Sequence, residues 1–350
     1  MKVFVPAHFG QGVRLRATGA YLPATVLSNA DVVARGSPLS VEEIETLSGI
    51  LERRHAAPEE ATSDLALAAA RQALERAGVA PAEVERLIVA TTSPDHLVPS
   101  TACLVQEALG LPKVPAYDLS AACSGFLYAL DAGVRAVVTG ETNVLVVSAE
   151  IRSRYVSPTD RATAALFGDG AAAALLEPCE PGAGLLALGL RADGSGAMSV
   201  HIPAGGSREP TTAETVAAGR HTLVMADGPQ VYFSAVEGML DTSKRLLAAL
   251  DKTWDDVALV VPHQPNARLL KRLARVGKFD PQKLFLNVER YGNTSGAACP
   301  IALDEALGSA ELKPGDEVML LVAGAGYTAG AALLRVDEAL LSASGAGSSA

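Results

Sequence analysis

The chain has 350 residues, 49% of them hydrophobic, with a formal net charge of −10 and a pI near 5.2. This length and apolar content supply a sizeable core, enough for two ordinary domains or one large two-part fold, and exclude overall disorder. The acidic balance excludes a general nucleic-acid binder, which carries a basic face. Cys103, Cys123, Cys179 and Cys299 are scattered with no CxxC pair, which argues against a zinc knuckle, any other metal site or a disulfide framework. The first residues lack the apolar run of a signal peptide. The uncharged window 318–334 is cut by Gly324, Gly326 and Gly330, so it reads as two buried strands joined by a turn and not as a membrane span. A cytoplasmic protein with neither nucleic-acid nor membrane partners is expected.

Residues 1–12 read as a loose lead-in, followed by a strand over 13–17. Ser28-Asn29-Ala30-Asp31 caps a short helix, and Ser40-Val41-Glu42-Glu43 is a capping box that opens another. An Ala-rich helix spans 62–77 and stops at Gly78, a strand is entered at Glu83 and runs to Ala90, and a helix covers 99–109. Tyr117–Asp131 then reads as the end of a strand, a turn of small residues around Cys123, and a helix whose apolar face is Phe126, Leu127 and Leu130. A thiol at a helix N-terminus feels the positive end of the macrodipole, which favours thiolate. Strands over 144–148 and 171–176 close the first half.

The second half repeats this order: a helix over 232–250, a strand over 256–262, a helix over 267–276, a strand over 285–288, the turn 291–296, a helix over 297–307, and strands over 318–322 and 330–334. The pattern predicts a duplicated α/β chain with halves at 13–180 and 181–337, mostly loops over 181–222, and a disordered tail over 338–350. Duplication places equivalent turns at one end of the sheets, so Cys123 and Asn293 come from matching strand-to-helix turns and His263 leaves a strand beside them. Thiol, imidazole and carboxamide together make a nucleophile with two hydrogen-bond donors, and the loop 324–327 can add backbone amides.

The segments SAACSGFLYAL, VPHQPNARLL, RYGNTSGAACPIALDEA, FGDGAAAALL and AGAGYTAGAALLRV, with SPTDRAT and LVPSTACLVQ, resemble those of β-ketoacyl-ACP synthase III and its secondary-metabolite relatives in the thiolase superfamily. The match covers about 13–336. It implies a five-layered αβαβα thiolase-like fold, a homodimer, and a Cys-His-Asn triad at Cys123, His263 and Asn293, with the Cys123 and Ala325 amides as oxyanion hole. The implied reaction is a decarboxylative Claisen condensation of a Cys-bound acyl group with a malonyl thioester, with no resident cofactor: the substrates are acyl-CoA or acyl-ACP and the malonyl thioester. Two alternatives stand beside it, acyl transfer to an O or N acceptor and a catalytically silent partner subunit.

Arg161, Asn266 and Val98 fall at substrate-binding positions of the family. Glu43 stands where the family stacks the coenzyme A adenine on a tryptophan, and Leu47 where it has an arginine, so the acyl donor is carried either by coenzyme A or by acyl carrier protein. Val98 replaces a bulky phenylalanine and implies a primer longer than acetyl. Arg268, Lys271, Arg272 and Arg275 form a basic stripe at helical spacing, suited to docking an acidic carrier protein.

Overall fold

Two runs of alternating strand and helix build two five-stranded sheets in this computed structural model, which describes residues 1–345. In chain order the first run comprises β1 (Val3–Phe4), β2 (Gly12–Tyr21), β3 (Thr25–Ser28), α1 (Asn29–Ala34), α2 (Val41–Ser48), β4 (Glu52–His55), α3 (Thr62–Ala77), β5 (Arg86–Ala90), α4 (Thr101–Leu109), β6 (Ala116–Leu119), α5 (Gly125–Val138), β7 (Val144–Ile151) and β8 (Asp169–Cys179). The second comprises β9 (Leu185–Arg191), β10 (Val200–His201), α6 (Ala213–Ala217), β11 (Val224–Met225), α7 (Gly228–Ala249), β12 (Leu259–Pro262), α8 (Ala267–Gly277), α9 (Val288–Tyr291), α10 (Ala298–Ser309), β13 (Glu317–Gly324), β14 (Thr328–Arg335) and α11 (Glu338–Gly345).

The first sheet has the order β2-β8-β7-β5-β6, and the second β1-β9-β14-β13-β12. β5 pairs in parallel with β6 and β7, and β12 in parallel with β13; the remaining neighbours within both sheets are antiparallel. Side chains of β5, β7, β12 and β13 are almost wholly buried, the apolar run expected of strands covered on both faces. Three cores fill the gaps. α3 and α4 pack on the outer face of the first sheet through Leu65, Ala69, Ala102 and Val105. α5 and α10 lie between the sheets, with Phe126, Leu130, Cys299 and Leu303. α7 and α8 cover the outer face of the second sheet with Met239, Leu240, Leu270 and Leu273. The result is the five-layered αβαβα arrangement.

Several local expectations change. The lead-in is tied down, because Val3 and Phe4 pair with Gly189 and Leu188. Leu185–Arg191 lies in the stretch read as loops but forms β9, whose Leu185 and Leu188 enter the core between the sheets. Residues 285–287 make one main-chain bond to β12, Phe285 N to Val260 O at 2.9 Å, and no strand. In place of a disordered stretch, Glu338–Gly345 is a helix: Asp337 caps it by accepting from the Leu340 amide at 2.8 Å, and Leu340 is buried against the central layer. Residues 346–350 of the expected tail lie outside the described residues. No helix among the described residues is long and apolar enough to cross a membrane.

Candidate active site

Cys123 sits in a single 3-10 turn, Ala122–Ser124, between β6 and α5. Ala122 has φ +48°, a left-handed conformation that a residue with a Cβ adopts at a cost. The second half makes the same turn at Ser295–Ala297, with Ser295 at φ +54°. The internal partner of Cys123 is therefore Gly296, and Asn293 lies three residues before it. The two turns do match, but at a register different from the one that pairs Cys123 with Asn293. A cavity of about 350 Å³ opens at this end of the sheets, and Cys123, His263 and Asn293 all line it.

His263 follows the last residue of β12 and is held by its amide, which donates to Leu321 O at 2.7 Å. Gln264 pins the same turn, donating from Nε2 to Pro262 O and Phe285 O at 3.0 Å each and accepting from the Asn287 amide at 3.2 Å. The imidazole is buried and its Nδ1 has no partner. Burial alone pushes its pKa down to about 3, so the ring is neutral at physiological pH. Asn293 is fixed by a bridge to Phe167: its amide donates to Leu166 O at 2.8 Å and its carbonyl accepts from Gly168 N at 3.1 Å. Its side-chain Oδ1 accepts from the Ser295 amide at 2.9 Å, which leaves Nδ2 as the free donor.

The Cys123 thiol lies 3.6 Å from the Ser295 hydroxyl, which in turn donates to Glu150 Oε1 at 3.4 Å. Burial pushes the thiol pKa up; the Ser295 hydrogen bond and the Arg152 charge act against it, and Glu150 adds to it. Desolvation of the sulfur is the largest of these influences, so burial opposes the thiolate that a helix N-terminus favours. Gly324, the last residue of β13, approaches the same turn so closely that a Cβ there would lie 2.9 Å from the Cys123 amide nitrogen and 3.0 Å from that of Ser124. A side chain at 324 would therefore push this turn away, and Cys123 and the following Ala325 both line the cavity.

The remaining expected residues are spread more widely. Asn266 lines the cavity and caps α8, its Oδ1 accepting from the Leu269 amide at 2.8 Å. Arg161 lies on the surface, outside the cavity lining, paired with Glu43 at 3.1 Å. Val98 is 82% exposed on the loop after β5, beside Leu97, and does not line the cavity of its own chain. Arg268, Lys271 and Arg275 are exposed on α8, and none makes an ion pair among the described residues. Arg272 is half-buried, stacked 5.0 Å from the Phe233 ring centroid and 5.9 Å from that of Tyr232, a cavity residue.

Sequence reasoning missed Ser295, Glu150 and Arg152. Glu150 is the last residue but one of β7 and Arg152 follows the strand, which is mostly apolar and runs three residues beyond the expected Ser148. Two opposite charges at the tip of a buried strand were the available signal. Glu150 is fully enclosed and accepts from Thr92 N at 3.1 Å, Thr92 Oγ1 at 2.8 Å and Ser93 Oγ at 2.6 Å.

The chain matches two family models, 3-oxoacyl-[acyl-carrier-protein] synthase III over residues 117–194 and the C-terminal part of the same synthase over 247–336. It is 43% identical over 324 residues to a β-ketoacyl-[acyl-carrier-protein] synthase III of Symbiobacterium thermophilum, covering 92% of this chain and 98% of the relative. A synthase III of Clostridioides difficile is 42% identical, with 91% and 96% covered. Among solved structures, the synthase III of Aquifex aeolicus superposes with a TM-score of 0.85 at 39% identity, covering 93% of this chain and all (100%) of that one. A priming β-ketosynthase from a polyketide pathway does so at 0.85 and 33% identity, with 93% and 96% covered.

Proposed function

The chain belongs to the β-ketoacyl-[acyl-carrier-protein] synthase III family, and from that premise we propose that it is an acyltransferase that joins a Cys123-bound acyl group to a malonyl thioester by decarboxylative Claisen condensation. The Cys123 sulfur attacks the carbonyl of an acyl thioester, the new C–S bond forms, and the donor leaves as a thiol carrying the proton. The malonyl thioester then loses CO2, and the electron pair of the broken C–C bond passes into an enolate. Its oxygen takes hydrogen bonds from neutral His263 and from Asn293 Nδ2. The enolate carbon attacks the acyl carbonyl, the oxyanion rests on the Cys123 and Ala325 amides, and collapse expels the Cys123 thiolate with the β-ketoacyl thioester. A neutral imidazole suits this step, since it donates to the enolate without a charge of its own to bury.

The observation that carries the reading is the convergence of Cys123, His263 and Asn293 on one cavity from separate turns of both halves. Acyl carrier protein is the partner, met by Arg268, Lys271, Arg272 and Arg275 at the mouth beside Tyr232. Acyl carrier protein also delivers the primer: Arg161, at a family adenine-stacking position, is engaged by Glu43. Two copies form the working unit in the cytoplasm. An unpaired β6 edge and the exposed Leu97 and Val98 support a dimer, and Val98 from the partner leaves room for a primer longer than acetyl.

Intact mass of the protein after incubation with acyl donors, followed by product mass with and without malonyl thioester, tests the reading. Condensation requires an adduct on Cys123 and a β-ketoacyl product that appears only with malonyl thioester. An adduct that passes to an amine or alcohol without malonyl thioester makes the protein a plain acyltransferase, and no adduct makes it a silent subunit.

A further inference from the structure

Arg152 is the one charged side chain in the cavity wall among the described residues, and it is only 4% exposed. Elsewhere the lining includes the apolar Leu166, Phe167, Ile202, Leu223 and Met225. The guanidinium is held from one end: Nη1 donates to Thr92 Oγ1 at 3.0 Å and to Thr92 O at 3.5 Å. Glu150 does not engage it fully. The nearest approach is 3.8 Å, an ion-pair distance without a hydrogen bond, and both Glu150 oxygens already accept from Thr92 and Ser93. Nε of Arg152 is enclosed with no partner, Nη2 donates to nothing among the described residues, and the Tyr155 ring centroid lies 5.6 Å from the guanidinium carbon. A buried guanidinium donor left without an acceptor is costly, and five donors in one plane match oxygen acceptors on a ligand.

We propose that Arg152 makes the acyl pocket selective for a primer that carries an acceptor oxygen on its chain, hydroxyl or carboxylate, over an unsubstituted alkyl primer of equal length. The inference rests on acyl transfer to Cys123. A purely alkyl chain would fill the apolar wall but leave the Arg152 donor bare, whereas an oxygen at the chain end completes it. During loading the acyl carbon exchanges the donor sulfur for the Cys123 sulfur, the donor thiol takes the proton, and the chain substituent is unchanged. Arg152 therefore acts by binding and not by chemistry.

The test is a competition among butyryl, 4-hydroxybutyryl and succinyl thioesters, which share a four-carbon chain and differ only at its end. Each is supplied on coenzyme A and, in parallel, on acyl carrier protein, and the adduct is read by intact mass at less than one turnover. The oxygen-bearing adducts are expected to exceed butyryl by at least about tenfold, the fold-change a single good charge-assisted hydrogen bond supplies. Succinyl leading identifies an anionic terminus, and 4-hydroxybutyryl leading a neutral one. In R152L the order reverses in favour of butyryl. Butyryl leading in the wild-type protein overturns the inference whatever the variant does, as does an R152L protein that keeps the wild-type order. No adduct from any donor overturns the Cys123 reading itself, and this inference with it.

Discussion

Acidification isolates the burial of His263. An unfolded histidine titrates near 6.5, whereas burial holds the folded ring near 3. Between those values the unfolded chain binds one proton that the folded chain does not, so stability is full above the unfolded pKa and falls as the pH drops towards the folded one. From pH 7 to pH 5 this single group removes about 2 kcal/mol, the free energy of protonating an ordinary histidine 1.5 pH units below its pKa. The measurement is urea unfolding of the wild-type protein and of H263N at both pH values. Carboxylates and the other histidines titrate in both proteins and cancel in the comparison. The wild type should lose about 2 kcal/mol more than the variant over this range. Equal losses would mean that the ring is solvated or paired in the folded state, and the neutral donor invoked for the enolate would disappear with that result. The kinetic counterpart is the condensation half-reaction of pre-acylated enzyme, which should show no acid limb near pH 6.5 from this residue.

G324A should slow acylation of Cys123 by about a hundredfold or more, because the added Cβ meets the Cys123 and Ser124 amides and spreads the oxyanion donors apart; stopped-flow mass analysis of the adduct reads it, and an unchanged rate removes Ala325 from the oxyanion hole. S295A should raise the pKa of Cys123, since the Ser295 hydroxyl, by turning from Glu150, donates to the thiolate when it forms. The pH dependence of iodoacetamide alkylation should shift upward, and a downward shift would contradict that role. K271E/R275E should raise KM several-fold for acyl carrier protein substrates and leave a small N-acetylcysteamine thioester unaffected, because both side chains are exposed and act on the partner's charge. Equal effects on both substrates would place the defect in the fold of α8.

The order of elements was legible because each has a local cause. Capping boxes at Ser28 and Ser40 and the glycine stops at Gly78 and Gly110 appear in the structure where the chain carries them. That Cys123, His263 and Asn293 share one end of the sheets was legible from their turns. What escaped depends on distant packing. β9 has a glycine-interrupted sequence, and only its place between β1 and β14 makes a strand of it. The tail helix exists because Leu340 finds the central layer. The register of the duplication is invisible in residue identity, since Ala122 and Ser295 share a backbone conformation and no side-chain likeness. Arg152 was passed over because its meaning lies in missing acceptors around its guanidinium, which only the folded chain reveals.

That register bears on why only one half of a duplicated chain carries a cysteine at this turn. At the position equivalent to Cys123 the second half carries Gly296, where a Cβ would stand 3.0 Å from Ser148 Oγ and 3.1 Å from Ala122 O. Ala122 is the strained residue that sets up Cys123, so a second cysteine at 296 would press on the turn that presents the first. The two turns meet between the sheets so closely that a side chain at 296 would require its neighbours to give way by a few tenths of an ångström. The second half instead contributes from three residues earlier, through Asn293, and from the strand before, through His263. Its turn still serves the sulfur, because Ser295, the counterpart of Ala122, brings its hydroxyl to Cys123. Close packing between the duplicated turns thus favours the asymmetry: one half carries a side chain at the central position, Cys123, where the other carries a glycine, Gly296.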